Sequence, residues 1–181
     1  VSISSDICPE IREYERFTTT VVNSYIKPLM SRYLKKLESE LKQKGFNCPL
    51  LLMTSGGTLT NVTSACNNPV RLVESGPAGG AILATSIAED LKLDKVISFD
   101  MGGTTAKITI IENQKAIKAR EFEVDRKARF KKGSGLPLRI PVIEMVEIGA
   151  GGGSIARVNK LDQIITGPDS AGSNPGPACY S

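Results

Sequence analysis

Asp100-Met101-Gly102-Gly103-Thr104-Thr105 places a carboxylate, two glycines and two hydroxyls within six residues, at the end of the apolar run Val96 to Phe99. That combination suits anion chemistry. The glycines let backbone approach a ligand without a Cβ clash. Consecutive amides and threonine hydroxyls can face phosphate oxygens as a concave nest. A strand-like run follows the turn directly, so it is neither a P-loop nor a dinucleotide fingerprint, both of which open a helix. The competing reading is an ordinary Gly-Gly hairpin with a solvent-facing Asp. Gly149-Ala150-Gly151-Gly152-Gly153-Ser154 reads either as a mobile loop or as a backbone-amide cradle for a nucleotide or an oxyanion. Ser75-Gly76-Pro77-Ala78-Gly79-Gly80, at the opening of a helical run, reads either as a tight turn or as amides aimed at an anion.

Histidine is absent from all 181 residues. Neither a Ser-His-Asp or Cys-His pair nor a His-ligated metal can be built. Catalysis must rest on carboxylates, hydroxyls, lysines, backbone amides or a bound ion. The net charge of +4 is mild. Its densest cluster, Arg126-Lys127-Ala128-Arg129-Phe130-Lys131-Lys132, lacks interleaved aromatics and reads as a solvated loop rather than a nucleic-acid surface. Cys8, Cys48, Cys66 and Cys179 have no paired spacing and read as reduced thiols of a cytoplasmic protein. No apolar run approaches the ~20 residues of a membrane span. The chain opens at Val1 in polar text, as an internal piece of a longer protein would.

The elements that must position these residues follow from periodicity. From Pro9 to Lys44 the residues Ile11, Tyr14, Val21, Val22, Tyr25, Leu29, Tyr33, Leu37 and Leu41 keep helical spacing, with Gly45 as a stop. The spacing predicts that this stripe packs in a core and that Pro28 kinks or splits the helix. Residues 1–46 therefore read as a helical segment and 47–181 as the phosphate-binding domain. Leu50 to Thr54 and Val96 to Phe99 read as buried strands, with a helix from Ala78 to Leu91 between them. Ala106 to Ile111 and Ala116 to Val124 continue the second strand as a three-strand meander, and a last strand lies near Gln163 to Thr166. The predicted class is α/β, a mixed sheet with packed helices.

The 100–105 turn resembles the phosphate hairpin of actin-like ATPases and sugar kinases. It stands in an order with Ser75–Gly80, with Glu147-Ile148 and the glycine run through Ala156, and with Gly167-Pro168-Asp169-Ser170-Ala171-Gly172 and Pro175-Gly176-Pro177-Ala178-Cys179-Tyr180. Together with Pro9-Glu10-Ile11-Arg12-Glu13-Tyr14-Glu15-Arg16, these motifs resemble the hydantoinase A / oxoprolinase family over nearly the whole chain. The resemblance implies a partial actin-like (ribonuclease H-like) ATPase fold and ATP-dependent opening of a cyclic amide, of hydantoin or 5-oxoproline type. It also implies Mg²⁺ at Asp100, nucleotide contacts from Gly102, Gly103, Thr104 and Thr105, and a second set from Gly149, Gly151, Gly152, Gly153 and Ser154. A second subunit of the hydantoinase B type is implied, as is an amino-terminal lobe with its own phosphate loop, without which the isolated piece is inactive. Carboxylase subunits of the same family and a non-catalytic nucleotide-binding module are the alternatives. Some members carry His-Thr where this chain has Val146-Glu147, so no role of that histidine is carried over.

Overall fold

In this computed structural model residues 1–128, 131 and 133–180 are described. Arg129, Phe130 and Lys132 of the basic cluster lie outside them. The helices are α1 (Ser4–Ile7), α2 (Glu13–Gln43), α3 (Val62–Asn67) and α4 (Ser75–Asp90). The strands are β1 (Leu51–Met53), β2 (Leu59–Asn61), β3 (Lys95–Met101), β4 (Ala106–Glu112), β5 (Lys115–Ala116) and β6 (Lys118–Ala119). After them come β7 (Phe122–Val124), β8 (Leu136–Leu138), β9 (Val142–Ile143), β10 (Val146–Ile148), β11 (Ser154–Val158) and β12 (Ile164–Ser170). The chain forms two compact units, Val1–Ile82 with Lys118–Ile143, and Leu83–Ile117 with Glu144–Ser181.

In the first unit, α2 runs unbroken for 31 residues. Glu13 and Glu15 complement its positive end. Gly45, at φ +88°, ends it in a Schellman motif: the Gly45 amide donates to Lys42 O at 3.0 Å and the Phe46 amide to Leu41 O at 3.0 Å. Of the kink or split expected at Pro28, the split does not occur. The expected core stripe is also displaced. Tyr14, Val21, Tyr25, Leu29 and Tyr33 are exposed, while Thr19, Asn23 and Leu34 are buried. The inward face includes polar side chains because each is paired. Asn23 Nδ2 donates to Asn67 O at 3.1 Å, its Oδ1 accepts the Val70 amide at 3.2 Å, and Thr19 Oγ1 donates to Glu15 O at 2.6 Å. Leu34 packs with Val62, Ala65 and Cys66 of α3. Asn61 Oδ1 caps α3 by accepting the Ser64 amide at 2.8 Å. Ile7, Val70, Leu138, Ile140 and Val142 form a second cluster. Arg139, next to Leu138, pairs with Glu10 at 2.7 Å and with Glu121 at 2.8 Å.

The second unit holds a four-stranded sheet. Its order is β10-β4-β3, with β5 also paired to β4. Every strand pairing among the described residues is antiparallel, so the chain is α/β in content but the expected mixed sheet is not formed. The meander β3-β4-β5 exists, though its third strand ends at Ala116; Lys118 to Val124 pairs instead with β9 and β8 in the first unit. Nor is β3 buried on both faces. Ile97 and Phe99 are 72% and 57% exposed, whereas Ile111 of β4 is wholly buried. Alternation along a strand sends neighbours to opposite faces, and only one face of this sheet is covered. A hairpin of β11 and β12 completes the unit.

Candidate phosphate site

Asp100 is the penultimate residue of β3 and is exposed. Its carboxylate makes no hydrogen bond or ion pair among the described residues. The chain reverses over Gly102 to Thr105 and enters β4 at Ala106, with the Gly102 amide donating to Thr105 O at 2.9 Å. The register places Lys107 opposite Asp100 on one side and opposite Glu147 of β10 on the other. Directly opposed residues share a face, so Asp100, Lys107 and Glu147 form a row of alternating charge. Lys107 Nζ is 3.2 Å from Glu147 Oε1 and donates to Thr105 Oγ1 at 2.7 Å.

The glycine run is built against this turn. The Gly152 amide donates to Gly102 O at 2.9 Å and the Gly153 amide to Gly103 O at 2.8 Å. Gly151 N–H donates to Ser154 Oγ at 2.9 Å, and Ser154 N–H returns to Gly151 O at 3.0 Å. Ala171 N–H donates to Gly153 O at 2.7 Å, which adds the segment after β12. A Cβ at Gly151 would sit 2.7 Å from Gly102 O and Gly103 O, and one at Gly153 would sit 2.7 Å from Gly172 O. These glycines are required by close backbone approach.

The structure therefore brings the two expected segments together but divides the labour differently. The amides of Gly151, Gly152, Gly153 and Ser154 each donate to an acceptor within the protein, and those of Gly152 and Gly153 brace the phosphate turn. The amides of Gly103, Thr104 and Thr105 make no hydrogen bond among the described residues. Three consecutive unspent N–H groups beside a carboxylate are the arrangement an anion nest needs. Ser75 to Gly80, read either as a tight turn or as helix-opening amides aimed at an anion, lies inside the first turns of α4, where the Ala78 amide donates to Glu74 O at 3.1 Å.

No group of three or more His, Cys, Asp or Glu that could hold a metal occurs among the described residues. Asp100 alone fits a cation that keeps most of its waters and is shared with a ligand's phosphates, and does not fit a closed protein cage. The sequence reading missed Lys107 and Glu147. The available signal was alternation: Lys107 stands two residues after Thr105 and so shares its face.

A family model described as hydantoinase/oxoprolinase matches residues 16–181. A Methanocaldococcus jannaschii protein of undescribed function is 47% identical over 99% of this chain and 27% of its own length. Caprolactamase subunit alpha of Pseudomonas jessenii is 34% identical over 97% of this chain and 24% of its own. The crystal structure of the ATP-dependent caprolactamase from that organism matches with a TM-score of 0.70 at 33% identity, covering 98% of this chain and 24% of that one. A nucleotide-free acetone carboxylase structure, from work on ATP-dependent acetone carboxylation, matches with a TM-score of 0.73 at 28% identity, covering 93% and 22%. The chain thus spans about a quarter of the length of these two relatives. No helix of the described residues is long and apolar enough to cross a membrane.

Proposed function

The chain belongs to the hydantoinase/oxoprolinase family, and from that premise we propose that it contributes one phosphate-binding loop to an ATP-dependent enzyme that opens a cyclic amide of hydantoin or 5-oxoproline type. The observation that carries the reading is the turn at 102–105. It leaves the amides of Gly103, Thr104 and Thr105 unspent, beside the exposed carboxylate of Asp100. These amides and the Thr104 and Thr105 hydroxyls would hold phosphate oxygens. Asp100 would hold Mg²⁺ through water, and the ion supplies charge neutralisation when bound.

The chemistry suits a site without histidine. An unstrained amide resists water because its carbonyl carbon is poorly electrophilic. Transfer of the γ-phosphoryl group to the amide oxygen gives ADP and a carbon open to attack. Water then adds to that carbon and the ring C–N bond breaks, leaving an acyl phosphate; a second water attacks the same carbon, giving the carboxylate and releasing phosphate with the former amide oxygen. The protein's contribution is positioning and electrostatics. One relative is named as a subunit, which supports a second polypeptide in the working enzyme, of the hydantoinase B type.

A carboxylase subunit is the second reading, favoured by the acetone carboxylase match at TM-score 0.73. ADP formation by the intact protein with its partner, measured with hydantoin, 5-oxoproline and simple ketones, each with and without bicarbonate, separates the two. Cyclic-amide dependence supports the hydrolase; bicarbonate-dependent cleavage with no response to any cyclic amide overturns it.

A further inference from the structure

We propose that Glu147 and Lys107 are positioning residues that fix the Thr105 hydroxyl as a hydrogen-bond donor to the bound phosphate. The inference rests on the phosphate reading of the 102–105 turn and adds two residues to it.

An ammonium group has donors and no acceptor, so at the 2.7 Å contact between Lys107 Nζ and Thr105 Oγ1 the lysine donates and the hydroxyl accepts. One Thr105 lone pair is thereby occupied and the hydroxyl rotor is constrained. No acceptor among the described residues takes the Thr105 proton. What remains is an O–H on the phosphate turn, next to the unspent Thr104 and Thr105 amides, biased toward donation. A serine or threonine hydroxyl without such a partner would sample donor and acceptor orientations. The lysine is itself held. Its side chain is only 16% exposed, and Glu147 Oε1, directly across the sheet on β10, lies 3.2 Å from Nζ. Two β-strands thus clamp the ammonium on the Thr105 face. Accepting a charge-assisted hydrogen bond also polarises the Thr105 O–H and makes it the better donor to an anionic oxygen.

The chain Glu147–Lys107–Thr105 predicts coupling, which a merely structural lysine would not show. The test measures KM for Mg·ATP and kcat in the intact protein for Thr105→Val, Lys107→Met, the double variant, Thr105→Ser and Glu147→Gln, with the circular dichroism melt of each. Thr105→Val and Lys107→Met are each expected to raise KM for ATP about tenfold, the loss of one charge-assisted hydrogen bond. The double variant is expected to stay near tenfold rather than reach a hundredfold. Thr105→Ser keeps the hydroxyl and is expected within about twofold of wild type. Glu147→Gln, at a half-exposed site where folding is safe, is expected to raise KM severalfold with kcat little changed. Additive effects in the double variant, or an unchanged KM in Glu147→Gln together with Lys107→Met, overturn the proposal. If Thr105→Val and Asp100→Asn both leave ATP use intact, the phosphate reading itself fails, a different outcome from loss of coupling.

Discussion

Replacing Gly151 by alanine tests whether the glycine run braces the phosphate turn. The added Cβ would lie 2.7 Å from Gly102 O, Gly103 C and Gly103 O, all backbone atoms that no rotamer change can move aside. Ordinary van der Waals contact begins about 0.7 Å farther out, at 3.4 Å. The two segments must therefore separate by roughly that amount. The two segments are joined by the bonds from Gly152 N–H to Gly102 O at 2.9 Å and from Gly153 N–H to Gly103 O at 2.8 Å, which the separation would stretch. Losing two net hydrogen bonds costs about 1–3 kcal/mol. The displaced turn carries the Gly103 and Thr104 amides, and a misplacement approaching 1 Å in a positioning element can cost on the order of a hundredfold in rate. Gly151→Ala should therefore lower the unfolding midpoint of the intact protein by several degrees and reduce kcat/KM for ATP by about ten- to a hundredfold. Thermal unfolding followed by circular dichroism, with steady-state ADP formation, reads both. Wild-type melting and wild-type turnover in Gly151→Ala would refute the brace.

Asp100→Asn keeps the shape of an exposed side chain and removes its charge; turnover should fall roughly a hundredfold with an unchanged melting curve, checked by ADP assay and calorimetry. Gly76→Ala stands in a helix, with nothing within 4 Å of the new Cβ, and should stabilise by about 0.5–1 kcal/mol in urea unfolding. Asn23→Ala strands Asn67 O and the Val70 amide in a buried site and should cost about 2–4 kcal/mol in the same assay. The amides of Gly133 and Gly135, with Arg126 beside them, hold the Glu123 carboxyl below the usual range. A depressed folded value means its stabilisation is complete above the unfolded pKa, near ~4.3, and is lost as pH falls through the folded one. Glu123→Gln should thus be less stable than wild type at pH 7, with the gap closing below about pH 4 in acid-unfolding curves.

How far the sequence carried depended on whether the signal was local. The turn at Asp100 to Thr105 was readable because glycine pairs and a flanking apolar run mark a hairpin without tertiary help. The long helix was readable at its carboxyl end, which Gly45 fixes, whereas Pro28 misled the reading by suggesting a break that is not there. Its buried face was not readable. Thr19 and Asn23 turn inward because Asn67 O and the Val70 amide, roughly 45 positions away, satisfy Asn23, and pattern reading prefers Tyr and Ile for that role. The same limit hid α3, whose polar sequence is helical through the Asn61 cap and packing against Leu34. In the site, a glycine run reads alike whether its amides face a ligand or a neighbouring backbone; only the bonds from Gly152 and Gly153 to Gly102 and Gly103 separate the two. Lys107 and Glu147 became visible only with the strand register, because Val146 to Ile148 meets β4 after a sequence separation of about forty residues.

The most direct measurement of the central claim follows one oxygen atom. The intact protein with its partner subunit is incubated with ATP and a cyclic amide carrying ¹⁸O in the carbonyl, and the released inorganic phosphate is analysed by mass. If ATP is spent on the amide oxygen, one ¹⁸O appears in each phosphate released, and cleavage of ATP requires the amide. Phosphate free of ¹⁸O from amide-dependent ATP cleavage would contradict the account.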